Sequence, residues 1–84
     1  MSKMTFSEAQ ALEIGTTIGI DFTVIDIEQF RMGLEVEFEH GSHDPETDVI
    51  HDDPLLAGKI AWAHLKEIAD YYTRLAAMEK AAEQ

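Results

Sequence analysis

The chain crowds three of its four histidines and six of its seventeen acids into the stretch FEHGSHDPETDVIHDDP, Phe38 to Pro54, without one lysine or arginine. Imidazole nitrogen and carboxylate oxygen are proton carriers and metal ligands. As a mixed set they suit zinc, iron, manganese or nickel better than calcium or magnesium. The fourth histidine, His64, falls on the apolar stripe of a later helical segment, with Glu67 one turn on. Glu37 flanks the apolar face of the preceding segment in the same way, and His40 follows it by one turn. His64, Glu67, Glu37 and His40 are therefore the candidate ligands of a divalent-metal site for zinc, iron or manganese.

Two readings compete with the metal. A buried imidazole must find partners or lose about 1–3 kcal/mol per unmet group, so His64 can be a satisfied core histidine pinned by a nearby acid. It can also act as an acid–base group. Ferritin-type bundles use Glu-x-x-His pairs, whereas His64-x-x-Glu67 runs in the reverse order and occurs once, so a second copy of the chain would have to complete it. A His-Glu-x-x-His zinc helix is absent.

Within the acidic stretch, Asp44, Glu46 and Asp48 alternate as in a calcium loop. The match then fails, because Val49 stands where the loop needs glycine and Leu55 where it needs the bidentate glutamate. Local duties explain the acids better. Asp44-Pro45 reads as a turn, Asp53 caps the next helix, and Asp52 favours the positive end of its dipole. His43 and His51 then read as solvated loop residues. Gly15 and Gly19 do not form a dinucleotide fingerprint, Ser42 beside His43 is not a triad, and no phosphate cradle or nucleophile elbow occurs. No catalytic residue is assigned. Glu28, Glu35 and Glu39 lie along the back of the second helical segment, as a solvated face or as a row imitating nucleic-acid phosphates.

Three helical segments position these residues. The first spans 6–18, with Thr5 and Glu8 forming a capping box, Ala11, Ile14 and Ile18 at helical spacing, and Gly19 as its stop. The second spans 27–40. Asp26 and Gln29 start it, Ile27, Phe30, Leu34 and Phe38 form its apolar face, and Gly41 stands as its C-cap. LEVEFE within it also alternates as a half-exposed strand does, but the helical spacing begins earlier and both ends are capped. The third spans 54–82, opened by Asp53 as N-cap and Pro54 in the first turn. Its stripe carries Ala57, Ile60, His64, Ile68, Tyr71, Leu75 and Met78, and beside it lie Trp62, Leu65, Ala69, Tyr72 and Ala76.

The expected fold is all-α: a small three-helix bundle with a long C-terminal helix, one domain over residues 1–84. The connection between the second and third helices folds over one end. The last helix has a face wide enough to predict a homodimer, since 84 residues bury only about 60–65% of the surface their unfolded chain exposes. Cysteine is absent, which excludes disulfides and thiolate chemistry. No apolar run approaches the ~20 residues of a membrane span, and the start of the chain lacks a signal-peptide pattern. A cytoplasmic protein that does not insert in membranes is the expectation. The formal net charge of −11 repels nucleic acid, whose binding needs lysine and arginine to displace counterions. It attracts basic protein surfaces and divalent cations. A non-enzymatic binding module engaging a basic protein partner is the first functional reading, with the divalent-metal bundle as the alternative.

The string EHG…DPETDV…DDP…GKIAWAHL…DYYTRL resembles a small bacterial and phage family catalogued as a domain of unknown function. The shared positions are Glu39-His40-Gly41, Asp44-Pro45-Glu46-Thr47, Asp52-Asp53-Pro54, Gly58-Lys59-Ile60-Ala61, His64-Leu65 and Asp70-Tyr71-Tyr72. Similar members often carry proline just before Asp-Tyr-Tyr. Ala69 stands there in this chain, which favours an unbroken last helix. The resemblance implies a label and no mechanism.

Overall fold

The computed structural model describes residues 5–82, with the backbone alone at 41–43. These residues form four helices, α1 (Glu8–Ile18), α2 (Ile27–His43), α3 (Pro54–Glu67) and α4 (Tyr71–Ala82), with no strand among them. The all-α expectation holds, and residues 34–39 are helical. The three-helix count does not hold, because the long last helix is two helices.

Local chemistry sets most of the ends. Ser7, not Thr5, caps α1: Ser7 Oγ accepts from the Gln10 N–H while Gln10 Oε1 accepts from the Ser7 N–H. Both Thr5–Glu8 and Ser7–Gln10 satisfy the capping-box pattern, and packing decides between them. Phe6, just before the cap, is buried edge-on against Phe38 with ring centroids 5.8 Å apart. Its N–H is met by Glu35 Oε2 at 2.9 Å. At the other end Gly19 turns left-handed at φ 98°, and the N–H groups of Gly19 and Ile20 reach back to Thr16 and Gly15 carbonyls. That is a Schellman stop, which a residue with a Cβ would resist.

Asp26 caps α2 by accepting from the Gln29 N–H at 2.9 Å. The face read from the sequence is the buried one: Phe30, Leu34 and Phe38 lie in the core, with Ile27 packed against it. Gly41 does not end the helix. The backbone stays helical to His43, and Asp44 is the extended C-cap. A helix interior tolerates glycine at a cost of only about 1 kcal/mol, so a glycine alone is a weak stop.

In the connection from 44 to 53, Asp44 and Asp53 have the local duties expected of them, and Asp48 has one of the same kind. Asp44 Oδ1 accepts from the Glu46 N–H, Asp48 Oδ1 from the Ile50 and His51 N–H groups, and Asp53 Oδ1 from the Leu55 N–H. These turns drive Ile50 into the core, where it is fully buried. The side chain of His43 lies outside the described residues, and His51 is exposed.

The chain breaks at Ile68, which is extended (φ −136°, ψ 107°), although no proline stands there. Its N–H still closes the last turn of α3 on the His64 carbonyl, and the Tyr71 N–H then bonds the Ile68 carbonyl. Asp70 is the local cue, since aspartate favours the residue before a helix. The decisive partner is remote. Gln29 Oε1, on α2, accepts from the Tyr72 and Thr73 N–H groups at 3.2 and 3.4 Å. Those are amides at the start of α4 that no carbonyl within the helix can satisfy. The break redirects α4 onto α2 and buries Tyr72, leaving Ile68 and Met78 exposed. The buried line of the C-terminal half is thus Ala57, Ala61, Leu65 and Tyr72, and not the stripe through His64, Ile68 and Met78. Of the second patch, beside that stripe, Leu65 and Tyr72 are covered by the chain itself, whereas Ala69 and Ala76 stay exposed.

Candidate functional site

Three helices meet around the hydroxyl of Tyr72. Gly33 on α2 and Ala61 on α3 are buried side by side, and their lack of bulk leaves the slot for the phenol ring. A Cβ added at Gly33 would lie 2.5 Å from Tyr72 Cε2 and 2.8 Å from Ala61 Cβ. At the end of that slot Tyr72 Oη donates to Glu37 Oε2 at 2.8 Å. His64 Nδ1 stands 2.9 Å from the same hydroxyl and 3.2 Å from Glu37 Oε2. With the phenol proton committed to Glu37, the imidazole carries its own proton on Nδ1 and donates it into the pair. Tyr71 stacks on the His64 ring at 4.4 Å and 20°, holding its plane.

Burial, followed by the charge of Glu37, pushes the Tyr72 phenol well above its ordinary range, so it remains a hydrogen-bond donor. The Glu37 side chain is 11% exposed and that of His64 is 35% exposed. The imidazole therefore sits at the rim of the core, not inside it, and this corrects its expected central position. Among the described residues no buried side-chain nitrogen or oxygen lacks a partner.

Of the four predicted ligands the structure joins two. His64 and Glu37 meet through Tyr72. His40 and Glu67 are exposed and make no hydrogen bond or ion pair with them. Among the described residues no group of three or more histidines and acids could hold a metal ion. Sequence reasoning placed Glu37 on the flank of its apolar face and gave His64 a polar partner, but put the imidazole at the centre of its stripe instead of the rim. It missed Tyr72 as the group between them and Gln29 as the side chain that seats it. Chemically, the arrangement holds Nδ1 of the imidazole against a hydroxyl and a carboxylate, as a carboxylate orients a general base. Here the orienting groups are also what joins α2, α3 and α4.

Glu67 faces elsewhere. It borders an open groove of about 500 Å³ between the α1–α2 connection and the end of α3, together with Asp21, Val24, Trp62, Leu65 and Lys66. Lys66 Nζ lies over the Trp62 ring, 4.2 Å from its centroid. Hydrogen bonds from the Thr23 hydroxyl and N–H hold the Asp21 carboxyl below the usual carboxylate range. The acidic row on the back of α2 is not free. Arg31 pairs with Glu28 and Glu35, and Glu35 also takes the Phe6 N–H.

No curated protein and no solved structure matches the chain. A family model does: the chain belongs to the family described as Protein of unknown function (DUF5661), which matches residues 11–81.

Proposed function

We propose that this member of a family of unknown function is a non-enzymatic interaction module whose acidic surface engages a basic protein partner. The observation that supports this reading is the fate of the cations. Against seventeen acids the chain has six lysines and arginines. Both arginines are spent inside it, Arg31 on Glu28 and Glu35 and Arg74 on Asp70. Most described acids are exposed, so the outward field is negative. Such a field steers a positively charged partner and opposes association with nucleic acid or with a second, equally acidic copy. The His64–Glu37 pair has a structural duty through Tyr72, which accounts for its residue types without a reaction. No helix among the described residues is long and apolar enough to cross a membrane.

A divalent-metal site is the second reading, favoured by the 3.2 Å approach of His64 Nδ1 to Glu37 Oε2; it requires ligands beyond the described residues. One purification separates the two. The protein isolated at low salt from the cells that make it is expected to carry a stoichiometric basic partner that leaves as salt screens the pair. A stoichiometric zinc, iron or manganese that survives gel filtration, with no basic partner, contradicts the first reading and supports the second.

A further inference from the structure

The groove beside Trp62 sets an exposed apolar side chain and two exposed acids next to residues of the core. Val24 at its lip is 77% exposed, a costly place for a β-branched apolar side chain that could be polar. Leu65 forms the buried floor and Trp62 a half-exposed wall. Asp21 and Glu67, both ionisable acids and both exposed, stand on the rim. At about 500 Å³ the groove is in the range that holds one or two side chains or a small ligand. Its charge pattern selects among occupants. A second copy of this chain carries a net charge of −11, which opposes its approach to the acids of the rim. A purely apolar ligand would leave the rim acids unused.

We infer that this groove is the docking site for a basic amphipathic segment of a partner protein, which sets an apolar side chain against Val24 and Leu65 and its lysines or arginines against Asp21 and Glu67. The inference rests on the acidic-module reading and gives it a location. Lys66 supports the cation preference directly, because its ammonium already occupies the Trp62 face at 4.2 Å. Aromatic faces attract cations through the ring quadrupole. An incoming lysine or arginine takes over that contact as Lys66 swings out to solvent.

Trp62 is the single tryptophan of the chain, so its fluorescence reports the groove without labelling. The probes are a short lysine–leucine peptide and polylysine, each titrated into the full chain at low salt with binding also followed by calorimetry. The lysine–leucine peptide is expected to shift Trp62 emission saturably. Glu67→Lys is expected to weaken that binding about tenfold, because it sets like charges face to face across the rim. Glu79→Lys, the same charge change on exposed α4, is expected to weaken it much less. Binding that leaves Trp62 emission unmoved, or that responds equally to the two charge reversals, overturns the groove while leaving the acidic module intact. No calorimetric binding of either probe overturns both.

Discussion

Tyr72→Ala is expected to lower the free energy of unfolding by about 4 kcal/mol, the range for removing a large buried aromatic. The ring is 1% exposed and fills the slot between Gly33 and Ala61. Its loss leaves a cavity, and Glu37 and His64 lose the hydroxyl that links them. A domain of this size has a total stability of roughly 5–10 kcal/mol, so the variant should stand close to its unfolding threshold. Denaturant titration with an unchanged slope is the check. Ile68→Ala and Met78→Ala provide the contrast. Both side chains are exposed, 41% and 63%, and each should cost no more than about 0.5 kcal/mol. In an unbroken helix packed through its predicted stripe, those two would be the expensive positions.

Gly33→Ala is the second large effect, and it opposes a local gain. Alanine is the better helix former by about 1 kcal/mol, so in an exposed helix interior this change would stabilise. At this position the new methyl would sit 2.5 Å from Tyr72 Cε2 and 2.8 Å from Ala61 Cβ. The tyrosine ring is enclosed, and the alanine methyl is fixed to the backbone of α3. Relief therefore requires α2 and α3 to separate or Tyr72 to leave. Overpacking of this kind costs up to about 3 kcal/mol, and the net loss should be about 2 kcal/mol by the same denaturant measurement. A stabilised Gly33→Ala variant would show that Tyr72 does not occupy the slot.

Features decided within a few residues were legible in the sequence. Asp26 with Gln29, the left-handed Gly19, Asp53-Pro54 and the Phe30–Leu34–Phe38 face all follow from caps and helical periodicity. So does the local use of Asp44 and Asp53. The errors fall where a distant contact decided. Ser7 replaced Thr5 as the cap because Phe6 is anchored on Phe38 and Glu35. Gly41 stayed inside α2 because a glycine stops a helix only when the turn after it is favoured. The break at Ile68 is matched by Gln29, 43 and 44 residues before Tyr72 and Thr73, whose carbonyl oxygen meets their amides. Winding residues 54–82 as one helix carried the apolar stripe through His64 and beyond. With α4 redirected, that line splits, and His64 moves from the centre to the rim.

For the candidate site, Glu37 was readable as a polar group flanking an apolar face, and His64 as an imidazole that needs a polar partner. Their connection was not, because Tyr72 reads as an apolar-patch residue until its hydroxyl is given a direction. Among the described residues, Asp44, Asp48 and Asp53 serve turns and a cap, and Glu37 and His64 join in one three-helix clasp. The charge left outside that clasp is what the binding reading uses.

A double-mutant cycle on Tyr72→Phe and Glu37→Met, each of which removes its side of the hydrogen bond, addresses the clasp itself. If the phenol donates to the carboxylate across α2 and α4, the two changes are coupled and their combined cost departs from the sum by about 1 kcal/mol or more. Additive losses would mean that the hydroxyl and the carboxylate do not meet, and that the imidazole and acid are free for another role.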